Sequence, residues 1–180
     1  MSGFLSRLRM KMQAKRSVES FYSLMEADFD DIWDIEVNNN LLVALSLWLS
    51  KKSDYGENIE CLSEAERVFY TVTILEQEVN NGGFEQFFYN DSGSLSGAVV
   101  SSYSAIGAET AAEICAKAIN SFPVGIPENR IERDEVLDSV FTDEISSILQ
   151  QCDTEFYSCA DDLVELSYRY IMANRAMFTR

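Results

Sequence analysis

The sequence predicts an all-α protein organised as a compact multi-helix single domain. Three observations carry that expectation. Apolar residues recur at helical spacing along most of the chain, and strand-like alternation persists nowhere. Only 2 prolines and 8 glycines interrupt 180 residues, which leaves room for long helices. The composition, 47% hydrophobic and 24% charged, is that of a globular protein. The length suffices for one domain with a real core and is marginal for two. Residues 1–27 are expected as a basic-to-acidic N-terminal helical segment and 28–180 as the helical domain.

Each element has its own signal. Residues 4–26 place Phe4, Leu5, Leu8, Met12, Val18, Phe21, Tyr22 and Met25 at helical spacing, with basic residues between the first of them. This reads as a terminal helix docked on, or frayed from, the domain; a membrane-surface or partner-binding amphipathic helix is the other reading. Residues 28–40 are an acidic, Trp-containing approach to the apolar run 41–50. That run is half the ~18 residues a membrane span needs, so it predicts a buried helix. Turn residues in 51–62 predict a loop. Ser63 followed by Glu66 is a capping box that opens the next helix, continued by Val68, Phe69, Val72, Leu75, Glu76 and Val79.

Gly82 and Gly83 are expected to end that helix, because a helix C-terminus often needs a residue with positive φ. Asn80 and Asn81 are expected to bond its last carbonyls. Phe84, Phe87, Phe88 and Tyr89 then predict a short aromatic helix folding back on the first. Residues 90–97 form a second break, and helices over 98–106 and 108–121 are split at Gly107. Pro123 and Pro127 bracket a loop. Helices follow at about 129–140, 143–157 and 160–177, with Thr142 as N-cap of the second.

Charge is the strongest compositional feature: 14 basic against 30 acidic residues, net −16. Residues 1–16 hold Arg7, Arg9, Lys11, Lys15 and Arg16 and no acid, which leaves 9 basic and 30 acidic side chains, net −21, over 17–180. Such a body repels nucleic acid and membrane surfaces and attracts basic proteins. The plainer reading is that acidity keeps the protein soluble. Four cysteines, no C-x-x-C pair and no histidine speak against a zinc site of the usual kind. No metal or cofactor is expected. The thiols are expected reduced, in a cytoplasm, and no apolar h-region follows the basic N-terminus.

Two constellations are candidates for function. The first is the corner over 75–93, with Glu78, Asn80, Asn81, Gly82, Gly83, Phe84, Gln86 and Phe87. Carboxylates near a turn, Glu76, Glu78, Glu85 and Asp91, can do acid–base work or bind a hard metal. No metal-ligand spacing matches, however, and no histidine can activate a serine. The corner is therefore expected to be a buried polar device that orients two helices, its amides hydrogen-bonded. The second is the acidic C-terminal half: Glu128, Glu132, Asp134, Glu135, Asp138, Asp143, Glu144, Asp153, Glu155, Asp161, Asp162 and Glu165 stand against Arg130 and Arg133, net −10. Several lie three or four apart and share helix faces, where like charges cost a few tenths of a kcal/mol per pair. The usual meaning of such a run is a solvated face; a row presented to a cationic partner is the sharper one. Residues 26–36 hold the other dense acidic run.

The stretches "LSEAERVFYTVTILEQEVNNGGFEQFFYN", "AIGAETAAEICAKAINSFP" and "DTEFYSCADDLVELSYRY" carry a resemblance over about residues 30–175. They resemble a family of small acidic bacterial proteins, formerly of unknown function, whose characterised branch is a DNA-mimic protein. The most specific parts are Glu78 to Phe84, Gln86-Phe87-Phe88 and Ile106-Gly107-Ala108. The resemblance implies a mostly helical homodimer, and the missing catalytic motifs lead to the expectation that the protein is not an enzyme. Its acidic surface would occupy the DNA-binding face of a helix-turn-helix regulator of transcription. An immunity protein that neutralises a basic toxin is the alternative within such domains. A carboxylate-based enzyme or metal binder at the Asn-Asn-Gly-Gly corner is the third reading. The basic N-terminal segment departs from the family pattern.

Overall fold

The computed structural model describes residues 22–180. The expected helix over 4–26 lies outside them apart from its last turn, 22–25, which is helical. From there the chain forms α1 (Phe29–Ile32), α2 (Asn38–Lys52), α3 (Glu64–Tyr89), α4 (Ser96–Ile106), α5 (Glu109–Asn120), α6 (Arg130–Val140), α7 (Asp143–Tyr157) and α8 (Leu163–Ala173). Short 3-10 turns occupy Ile59–Cys61, Asp91–Leu95 and Arg175–Met177. Among the described residues there is no strand, and no helix is long and apolar enough to cross a membrane.

Local chemistry sets the boundaries. Ser63 accepts the Glu66 N–H at 3.2 Å while Glu66 accepts the Ser63 N–H at 2.8 Å, the reciprocal bonds of the predicted box. Thr142 caps α7 through the Ile145 N–H. Gly107 closes α4 in the left-handed region, φ 83°. Several boundaries differ from expectation, two of them for a plain local reason. Helix α2 continues to Lys52 before left-handed residues at Asp54, Tyr55 and Gly56 turn the chain. Helix α8 begins only at Leu163, because the Asp162 carboxylate accepts the Glu165 N–H at 3.0 Å and starts it there.

Helix α3 is the spine. Its first half packs with α1, α2, α8 and the C-terminal tail around Ile32, Leu45, Leu49, Phe69, Ile171 and Phe178. Its second half packs with α4 to α7 around Val79, Phe84, Phe87, Phe88, Tyr103 and Phe156. One helix shared by both clusters makes a single domain. Phe84, Phe87 and Phe88 are each fully buried, and each contributes about 1.5–3 kcal/mol by leaving water. Edge-to-face contacts to Phe156 and Phe122 carry them across to α7 and to the end of α5.

The buried Glu66 does more than cap. It holds Lys52 at 2.8 Å and accepts the Thr179 N–H at 2.9 Å, so one carboxylate joins the end of α2, the start of α3 and the tail. All four cysteines are free thiols; Cys152 and Cys159 form no bridge.

Candidate functional site

At the Asn-Asn-Gly-Gly corner only Gly83 leaves the helical conformation, at φ 84° and ψ 179°. Gly82 stays helical, so the expected double-glycine turn is made by one residue. The second segment does fold back. The Glu78 carboxylate accepts from Gln86 Nε2 at 2.6 Å, Asn90 Nδ2 at 2.9 Å and Ser92 Oγ at 2.9 Å. In a straight helix Asn90 would lie about 18 Å further along the axis. Helix α7 braces the bend from the other side. Asp153 Oδ1 accepts the Phe84 N–H at 2.8 Å, and the Tyr157 hydroxyl donates to Val79 O at 2.6 Å. Those two bonds satisfy backbone groups that the break in the helix would otherwise orphan.

The asparagines do not do what the sequence suggested. Asn80 and Asn81 are exposed rather than buried, and among the described residues neither bonds a helix carbonyl. Asn81 Nδ2 donates to Gln86 Oε1 at 3.3 Å. The physical reason is that the Tyr157 hydroxyl already donates to the Val79 carbonyl there. Glu78 is held by three donors and Glu85 points to solvent. No group of three metal-ligating side chains occurs among the described residues.

Ten of the twelve acidic residues of the C-terminal half divide into two sets, and Glu165 pairs with Arg169. Four belong to the fold. Asp153 braces the bend, Asp161 accepts the Ala111 N–H at 2.9 Å and caps α5 from outside, and Asp162 caps α8. Glu155 pairs with Lys117 at 2.8 Å. The sequence groups these four with the row presented to a cationic partner; their carboxylates are turned to intramolecular donors instead, a use that linear spacing does not reveal. Asp134 is half-buried beside Arg130 at 3.7 Å.

Glu128, Glu132, Glu135, Asp138, Asp143 and Glu144 are exposed, on the outer side of α6, just before it and at the start of α7. Helix α6 earns this orientation by burying Arg133 and Leu137 on its inner side. Tyr89, on the folded-back segment of α3, joins the same surface. Its hydroxyl lies 3.5 Å from Asp138, and burial together with Asp138, Glu85 and Asp134 raises its pKa. Glu85 and α6, fifty residues apart in the chain, therefore share one negative surface.

The nine cations of residues 22–180 are each engaged within the fold. Lys51 donates to Met25 O, Lys52 meets Glu66, Arg67 meets Glu60, Lys117 meets Glu155 and Arg130 meets Asp91. Arg169 meets Glu165, Arg180 meets Asp30, and Arg175 lies over the Trp33 ring. Arg133 is wholly buried and donates to the carbonyls of Phe88, Asn90, Pro127 and Glu128. Burial lowers its pKa first. In the sequence Arg133 looks like a counter-charge on an acidic helix; it is a structural bolt between α6 and the end of α3. An arginine one turn before a buried leucine was the available signal.

Sequence reasoning also missed a cleft of about 420 Å³ between α2, α3 and the start of α8. Its lining follows the helical period on each wall: Asn39, Leu42, Val43 and Ser46 on α2; Thr73, Glu76, Gln77 and Asn80 on α3; Leu163, Val164 and Ser167 on α8. Hydrogen bonds from Gln77 and Ser46 tie α2 to α3 along it. Glu76, which the sequence groups with the corner carboxylates Glu78, Glu85 and Asp91, lines this cleft instead.

An all-helical domain, bent at one glycine and showing an acidic outer face, thus defines the class. The family model for DMP19-like protein matches residues 60–174, and the chain belongs to that family. The match covers α3 to α8 and begins some thirty residues later than the resemblance read from the sequence. No curated protein and no solved structure matches the chain.

Proposed function

We propose that this protein is a non-catalytic binding protein that engages a basic, DNA-binding partner, a helix-turn-helix regulator of transcription, by presenting its acidic face in place of DNA. One observation carries the reading. The outer side of α6 and the start of α7 hold five exposed carboxylates, with Glu128 just before α6 as a sixth, while each cation of the body has a partner within the fold. Along α6, Glu132, Glu135 and Asp138 place one charge per about 4.5 Å of axis, against about 3.4 Å per phosphate along one strand of duplex DNA. Ile131, 71% exposed, stands among them and supplies an apolar contact of the kind found at interface centres. A homodimer would double the row and suit a two-fold regulator.

Long-range attraction of this sort speeds association and weakens with salt. The test is capture from the native cytoplasm at low salt, followed by competition with duplex DNA. A captured DNA-binding protein that DNA displaces supports the reading. A basic partner without affinity for DNA would favour toxin neutralisation instead. Recovery of no nucleic-acid-binding protein at low salt would count against mimicry.

A further inference from the structure

The Glu76 carboxyl in the cleft between α2, α3 and α8 has no evident internal purpose. Among the described residues no cation and no hydrogen-bond donor reaches it, and burial alone raises its pKa. A half-buried carboxylate without a partner disfavours the folded state, and a neutral glutamine of the same size does so less. Its surroundings are those of a receptor for a long, cation-tipped chain. Leu42, Val43, Leu163 and Val164 give apolar walls, and the side-chain amides of Asn39 and Asn80 stand exposed at the rim with oxygens able to accept. The volume of about 420 Å³ falls within the range of small-ligand sites.

We infer that this cleft is a binding site for an aliphatic ammonium group of lysine size, with Glu76 as its counter-ion. The ammonium has three donors; the carboxylate takes one or two and the rim amides the rest. The methylene stem lies along the leucine and valine walls, as lysine stems do on apolar surfaces. A guanidinium fits less well, because one carboxylate and two amides cannot serve its five donors in their planar fork. The site is independent of the α6 face: it lies on other helices, and its α2 wall is outside the family match. The ammonium has two sources, a lysine side chain in a peptide or a free aliphatic diamine.

Two probes separate the sources: Nα-acetyl-lysine N-methylamide and 1,5-diaminopentane, each titrated into the full chain and followed by heat or by backbone amide shifts. The norleucine analogue of the first is the uncharged control, and Glu113→Gln, on the exposed side of α5, controls for net charge. Saturable binding of at least one amine is expected, weakened about tenfold to a hundredfold by Glu76→Gln and left intact by Glu113→Gln. Val164→Trp, at the exposed rim, should block the site with Glu76 in place. Binding of the lysine analogue alone assigns the site to a peptide lysine; binding of the diamine alone assigns it to a free amine. Equal binding to wild type and Glu76→Gln, equal binding of the norleucine analogue, or saturation by neither amine would overturn the inference.

Discussion

Asp153 Oδ1 accepts the Phe84 N–H at 2.8 Å across 69 residues of sequence, and its other oxygen fills the place where a side chain at Gly83 would sit. The bend in α3 and the seating of α7 are therefore one structural event. A Cβ built on Gly83 would lie 2.5 Å from Asp153 Oδ2, and φ there is 84°.

Gly83→Val should consequently cost about 2–6 kcal/mol, combining a left-handed β-branched residue with overpacking. Thermal melting checks it. An unchanged melting temperature would mean that neither the backbone strain nor the Asp153 contact matters.

Arg133→Leu should destabilise by about 3 kcal/mol or more, because four carbonyl acceptors lose their donor at a buried site. Chemical denaturation measures this, and a midpoint equal to wild type would show that water replaces the guanidinium.

Glu76 and Asp153 both have pKa values raised by burial, the second opposed by the Phe84 N–H. For such a carboxyl the native state holds its proton to higher pH than the unfolded chain. Stability is thus lost as pH rises through the window just above the ordinary carboxylate range. Glu76→Gln should melt higher than wild type at pH 7, and the gap should close as the pH falls toward 4. A gap that is absent, reversed or independent of pH would contradict the assignment.

Deleting residues 1–16 should shift the melting temperature by no more than about 2 °C. Both described cores are built from residues 32 to 178. Loss of folding would place that segment in a core.

Much of this architecture was legible because it is written locally. Ser63 and Glu66, Thr142, Gly107 and the aromatic run 84–89 act on neighbours in sequence, and each does what its spacing suggests. What stayed hidden depends on partners far along the chain. Asp153 and Asp161 look like surface charge until α3 and α5 are brought to them, and Arg133 looks exposed until α6 turns it inward. The Glu76 cleft needs three helices at once. Acid rows within one helix could be read; their union with Glu85 and Tyr89 could not.

In the proposed mode of binding, the outer face of α6 engages the partner by charge. Glu132→Lys, Glu135→Lys and Asp138→Lys, made together, reverse three exposed residues and leave Asp134 to its pairing with Arg130. Folding should change little, since like charges at helical spacing already repel. The decisive measurement is affinity for the captured partner at two salt concentrations, in wild type and triple variant. At least about a tenfold loss at low salt and a flatter salt dependence are expected in the variant. Equal affinities with equal salt slopes would remove this face from the mechanism and leave the acids of residues 26–36 as the remaining dense run.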